Sequence, residues 1–250
     1  VARYPHAQQR ILPENATQAR IVPRSVILHT AVDGPGPTDL AAYFGRSDIK
    51  AESTFYVTLT GTVVQMMDTT TEADANGTAD KWAISVETED DSARRGSDIL
   101  PWTRAQLDAL TELVDWCCRT HGIPRVRCTS GRLPGAAGIG YHSQPMRERF
   151  DGTAHNPWTA YQGKTCPGHA RVGQYPNLVT RVAAMAAPPP NPKDDDDMTP
   201  AQEAKIDNLA RAVADLTARV DALAVGPTYQ GHATGGVVPT VERIARHLGA

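Results

Sequence analysis

Apolar residues along this chain fall first into short runs, between residues 26 and 89, and later into helical repeats. Arg24 to Thr30 reads Arg-Ser-Val-Ile-Leu-His-Thr, and its continuous apolar centre predicts a buried strand. Phe55-Tyr56-Val57-Thr58-Leu59 and Thr62-Val63-Val64-Gln65-Met66 are rich in β-branched and aromatic residues, with Thr60-Gly61 between them, and predict a hairpin. Trp82 to Glu89 alternates apolar and polar positions and predicts another strand. Glu87 and Glu89 then share a face, because strand side chains repeat every two residues. Gly34-Pro35-Gly36-Pro37 forces a loop, and Thr38 to Arg46 fits a short helix.

The helical periodicity begins at Thr103-Arg104-Ala105-Gln106, a capping box in which a hydroxyl N-cap faces a Gln three residues on. Leu107, Leu110, Val114 and Cys117 follow at helical spacing, and Gly122 with Pro124 stops the helix. Residues 129–169 are rich in glycine and proline and read as loops. A second helix is predicted over about Asn177 to Ala186. Pro188-Pro189-Pro190-Asn191-Pro192 and Asp194 to Asp197 form an extended, solvated linker over 187–198. Thr199-Pro200-Ala201-Gln202 is a second capping box. Ile206, Leu209, Val213, Leu216, Val220 and Leu223 then repeat as a heptad seam, β-branched at one core position and Leu at the other. That pattern predicts pairing of two chains through residues 199–225. Gly226-Pro227 ends the helix, and a last amphipathic helix is expected around Val241 to Leu248. The expected division is an N-terminal arm over 1–23, a catalytic domain over 24–186, the linker over 187–198 and a helical region over 199–250.

Composition narrows the picture by exclusion. The 250 residues hold one domain with a sizeable core and an appendage. A net charge of −3 gives no electrostatic reason to expect nucleic acid as a partner. Lys+Arg equals Asp+Glu through residue 186, so the acidic excess lies wholly in the tail. Cys117 and Cys118 are adjacent within a helical pattern, so no disulfide framework is expected, and no CxxC pair marks a structural zinc knuckle. No apolar run approaches the roughly 20 residues of a membrane span. Val1-Ala2-Arg3-Tyr4-Pro5-His6 has no apolar core, so no signal peptide is expected.

The chemistry centres on Lys164-Thr165-Cys166-Pro167-Gly168, read together with His29 and with His142 in Gly140-Tyr141-His142-Ser143. Two imidazoles and a thiolate can hold a catalytic zinc and leave a fourth position open. Singly, each has a plainer reading: His29 as a core histidine, His142 as a loop histidine, Cys166 as a small buried thiol. His155 and His169 are rival ligands, and Glu89, beside Asp90-Asp91, is the rival to Glu87. The intervals between residues 29, 142 and 166 match no compact metal motif such as HExxH.

The ordered set resembles the type 2 N-acetylmuramoyl-L-alanine amidases, zinc hydrolases of the peptidoglycan-recognition-protein fold that are common among bacteriophage endolysins. The resemblance covers roughly residues 22–185. It rests on Val26-Ile27-Leu28-His29-Thr30, on Phe55 to Gln65 with its Gly61-Thr62 turn, on Ile84-Ser85-Val86-Glu87, and on the Gly-x-His loop followed by Lys164 to Gly168. It implies an α/β fold with a mixed central β-sheet flanked by helices, before the coiled-coil-like tail. It also implies zinc bound by His29, His142 and Cys166, with Cys where many members have Asp. Glu87 would be the base and Lys164 the oxyanion stabiliser. Many relatives carry His or Tyr on the second strand, where this chain has Ser53-Thr54-Phe55-Tyr56, which leaves no firm role for Tyr56.

The implied function is cleavage of peptidoglycan between N-acetylmuramic acid and L-alanine by an endolysin held in the host cytoplasm before lysis. The alternative is a non-catalytic peptidoglycan-binding or virion-associated protein multimerised by its C-terminal helix. A third reading makes Cys166 a nucleophile beside His142. Pro167-Gly168 offers no sign of the helix N-terminus that would activate such a thiol.

Overall fold

The computed structural model describes residues 2–32, 40–91, 98–132, 135–150, 157–159 and 163–186, together with eight helical positions between 204 and 215. It divides into two units, Val1–Ala187 and Pro188–Ala250. The first is an α/β unit built on one mixed sheet. Its strands are β1 (Gln8–Gln9), β2 (Ser25–Leu28), β3 (Ala31–Val32), β4 (Phe55–Val57), β5 (Val63–Gln65), β6 (Ala83–Asp90) and β7 (Gly138–Tyr141). They lie in the order β1-β5-β4-β6-β2-β7, with β3 pairing further along β6. Only β4 and β5, the expected hairpin, run antiparallel; every other pair is parallel.

Alternation along these strands sorts the side chains into two faces. Val26, Leu28, Phe55, Val57, Ile84, Val86, Ile139 and Tyr141 join the main core. Helix α2 (Arg104–His121) and helix α4 (His169–Ala184) cover that face with Leu110, Leu113, Val114, Cys117, Tyr175, Leu178 and Val182. The intervening positions, Ile27, Tyr56 and Ala83, belong to two smaller clusters on the opposite face. One face is thus sealed by helices, and the other carries the loops, α1 (Leu40–Phe44) and α3 (Gln144–Arg147).

Helix α2 starts as its sequence requires. Gln106 N donates to Thr103 Oγ1 at 3.0 Å, and Thr103 N donates to Gln106 Oε1 at 3.1 Å. Gly122, with φ +67°, ends the helix in the left-handed conformation. Cys117 and Cys118 are buried, and burial pushes the Cys118 thiol up to about 11, as befits packing residues.

The structure departs from the sequence reading at several points, among them the short helix α3 inside the stretch read as loop. Strand β7 lies inside the stretch read as loop, because Gly138 and Gly140 disguise it. A Cβ at Gly140 would meet the Trp158 ring at 3.0 Å, so glycine serves close approach rather than a turn. Helix α4 begins at His169 rather than near Asn177 and continues through Pro176. A proline inside a helix costs about 3 kcal/mol; burial of the apolar face formed by Tyr175, Leu178, Val179 and Val182 offsets it. Residues 1–23 are mostly irregular but packed: β1 pairs with β5, and Tyr4 and Leu12 are buried.

In the second unit the described positions, from Ala204 to Asp215, are helical, and Val213 is exposed. The linker, the remaining seam residues Ile206, Leu209, Leu216, Val220 and Leu223, and the final helix lie outside the described residues. Among the described residues no helix is long and apolar enough to cross a membrane.

Candidate metal centre and catalytic cleft

Register brings the site together. β2 pairs Leu28 with Val86 of β6 on one side and with Tyr141 of β7 on the other. One residue further on, Glu87, His29 and His142 therefore stand level, the two histidines just past the C-terminal ends of β2 and β7 and Glu87 within the longer β6. Alternation turns all three away from the helix-covered face. The imidazole centroids of His29 and His142 are 4.4 Å apart, and His29 Nδ1 lies 3.8 Å from Glu87 Oε1.

Cys166 arrives from the turn that precedes α4. Thr30 N donates to its Sγ at 3.3 Å, and Ser143 N donates to its carbonyl at 3.0 Å. The residue following each histidine thus holds the cysteine segment. One donor atom from each of His29, His142 and Cys166 lies within 4.8 Å of the others. His29 Nδ1 and Cys166 Sγ are 3.9 Å apart, near the roughly 3.5 Å separation that a tetrahedral zinc gives its N and S donors.

The outward ring nitrogens are already engaged. His29 Nε2 donates to Asn76 Oδ1 at 2.7 Å, and His142 Nε2 donates to the Trp158 carbonyl at 3.1 Å. Both rings then carry their proton on Nε2, which leaves the Nδ1 lone pairs for a metal. Burial lowers the pKa of His29 to about 4, with Lys164 adding to the effect. Burial, then His29 and Lys164, lower that of His142 to about 2. Neutral imidazoles are what a metal requires. Burial, with Glu87 next, pushes the Cys166 thiol up to about 12. The protein alone therefore does not make Cys166 a nucleophile, although α4 does start three residues beyond it. That helix start corrects the sequence reading of Pro167-Gly168; the raised pKa of the thiol now weighs against a cysteine hydrolase. A donor set of two neutral imidazoles and one thiol suits zinc.

Glu87 and Lys164 line the same cleft as the three donors, a cavity of about 820 Å³. Glu89 does not: its Oε2 accepts from Leu59 N at 2.7 Å and holds the β4–β5 turn. His169 sits outside the cluster at the start of α4, with Nδ1 3.4 Å from Arg147. His155 lies outside the described residues. Tyr56 is level with Glu87 but lines a separate cavity of about 280 Å³ with Leu40, Thr58 and Val64.

The family model for N-acetylmuramoyl-L-alanine amidase (Amidase_2) matches residues 18–169, more than half of the chain. The chain belongs to that family. It is therefore a peptidoglycan amidase, with the match running from ahead of β2 to the first residue of α4. Solved structures that the amidase resembles include PlyL, at 16% identity over 70% of this chain and 96% of that one, with a TM-score of 0.47. A mutant endolysin from Bacillus subtilis is 17% identical over 70% and 97%, with a TM-score of 0.48. The amidase LysC from Clostridium intestinale URNW is 14% identical over 73% and 95%, with a TM-score of 0.44. No curated protein matches the sequence.

The residues behind the donors carry no local sequence signal. Asn76 sits in a polar stretch that reads as loop. Trp158 contributes a backbone carbonyl, which no residue type announces. Arg171 is fully buried and donates to Thr30, Thr88, Leu100, Glu89 and Asp90. Only the apolar spacing of Val172, Tyr175, Leu178 and Val182 around it hints at an inward position.

Proposed function

We propose that this amidase uses zinc to hydrolyse the amide between the lactyl group of N-acetylmuramic acid and L-alanine, and that it acts as a bacteriophage endolysin. The observation that carries the reading is the convergence of His29, His142 and Cys166 in one cleft with Glu87 and Lys164. Zinc bound by the three donors would supply Lewis acidity and bring the pKa of a water toward 7. The Nε2–H bonds of the histidines leave their Nδ1 atoms as the ones that would hold the ion. Glu87 takes a proton from the attacking water and returns it to the nitrogen of L-alanine as the C–N bond breaks. The products are a carboxylate on the lactyl group and a free amine on the peptide. Lys164 stands against the negative charge that gathers on the carbonyl oxygen during attack.

Support for the endolysin role is the compact first unit followed by a separate segment with a heptad seam. Pairing through residues 199–225 would raise avidity for a repetitive polymer. In this reading the protein gathers in the host cytoplasm and reaches the wall once another agent breaches the membrane.

Digestion of purified peptidoglycan with and without a chelator tests the proposal. New alanine N-termini that vanish on chelation and return with zinc are expected. New reducing sugar ends, or activity indifferent to chelation, would overturn it.

A further inference from the structure

The two histidines are supported from behind by a single short segment. Asn76 is fully buried, and its Oδ1 accepts from His29 Nε2 at 2.7 Å. The next residue, Gly77, has φ +57°, and a Cβ there would lie 3.0 Å from the Trp158 carbonyl oxygen, the atom that accepts from His142 Nε2. Thr78 Oγ1 donates to the Pro157 carbonyl at 2.6 Å and ties the same strip of chain down. The turn Gly77–Lys81 closes this segment, and Asp80 locks it: its Oδ1 accepts from Asn76 N at 2.6 Å and from Ala75 N at 3.1 Å.

We infer that residues 75–80 form one brace that sets the orientation of both imidazoles, with Asn76 and Asp80 as positioning residues for the metal site. This inference rests on the zinc reading above. Asn76 acts directly on His29. Gly77 and Thr78 act on His142 through the 157–158 backbone, and only glycine at position 77 lets the two backbones approach this closely. Asp80 touches neither ring; its carboxylate fixes the backbone that aims Asn76. Outer partners of metal-bound histidines typically govern metal affinity by about 10–100-fold. Here one segment serves two ligands, so damage at its base should reach both.

Zinc affinity of the full chain, measured by competition with a chromophoric chelator, tests the brace. Asn76→Ala is expected to weaken zinc binding by about 10–100-fold. Asn76→Asp, which keeps an acceptor oxygen, should restore most of it. Asp80→Ala and Gly77→Ala should also weaken binding. Circular dichroism and thermal melts of the metal-free proteins show whether each variant is folded. Imidazole ¹⁵N shifts of the metal-free wild type should report the Nε2–H tautomer for both histidines, with His29 losing its preference in Asn76→Ala. Folded Asn76→Ala and Asp80→Ala that bind zinc as tightly as wild type would overturn the brace. A wild type that binds no zinc would remove the metal reading itself and the brace with it.

Discussion

His29 and His142 occupy the same register on adjacent parallel strands, one residue beyond the paired Leu28 and Tyr141. Their ring centroids are 4.4 Å apart. The sheet and its helix-packed face set this spacing, so the donor set does not depend on metal for its assembly. Chelated protein should therefore keep its far-ultraviolet circular dichroism and unfold cooperatively, unlike a zinc finger. Zinc at about 100 times its dissociation constant should add about 2.7 kcal/mol of stability. A chelated protein that loses its fold would contradict this picture.

Cys166 is the proposed donor most open to exchange, since its segment is also held without Sγ, by Ser143 N on its carbonyl and Thr30 Oγ1 on the Pro167 carbonyl. Cys166→Asp should retain one zinc per chain and remain active, because a carboxylate can take the same position. A thiolate donates more charge than a carboxylate, so kcat in the aspartate variant should equal or exceed that of wild type. Cys166→Ala should lose metal and activity together. Metal content by elemental analysis, set beside kcat, decides between these outcomes.

In the proposed reading Glu87 and Lys164 serve the chemistry rather than hold the metal, and that separation is measurable. Glu87→Gln should keep zinc and KM while kcat falls by about 10²–10⁴-fold. Lys164→Met should lower kcat by about 10²–10³-fold, again with metal retained. Loss of zinc from folded Glu87→Gln would instead make Glu87 part of the metal's support.

The sequence made the centre of this site legible, and much less of its surroundings. The apolar run before His29 and the alternation around Glu87 identify two of the three strands that carry the site. The third, β7, hides because close packing against Trp158 demands glycine where a strand normally shows side chains. Pro176 makes the sequence start helix α4 too late, a local penalty that burial of one face overrides. Asn76 and the Trp158 carbonyl act only through tertiary contact, so nothing near them in the chain reveals their work. Arg171 was hidden for a related reason: a charged residue in a polar stretch reads as surface unless its partners are known.

Those partners make Arg171 a stability determinant. Its guanidinium and the carboxylate of Asp90 are both buried, 3.2 Å apart, with the other donors spent on Thr30, Thr88 and backbone carbonyls. Burial lowers its pKa to about 10, which still leaves it charged at neutral pH. Arg171→Met removes the countercharge of a buried carboxylate and the donors of several acceptors, and should cost about 3–5 kcal/mol. Urea unfolding of the metal-free proteins measures this. A loss below about 1 kcal/mol would show that water or a neighbour takes over the guanidinium's bonds.

Asp80 gives the fold a pH dependence of its own. Burial, reinforced by the facing charges of Asp74 and Glu72, raises its pKa from 3.8 to about 7, against the lowering effect of the N–H groups of Asn76 and Ala75. A carboxyl whose pKa is higher in the folded state binds its proton more tightly there than in the unfolded chain. Its contribution is therefore complete below about pH 4 and fades as pH rises through about 7. Asp80→Asn removes that titration while keeping an acceptor oxygen. The stability of this variant relative to wild type should therefore improve steadily between about pH 4 and pH 8, by an amount on the order of 2–4 kcal/mol. Paired denaturant titrations across that range, on metal-free protein, provide the measurement. A difference that stays flat would mean that Asp80 is ionised throughout, with its two backbone hydrogen bonds outweighing its burial.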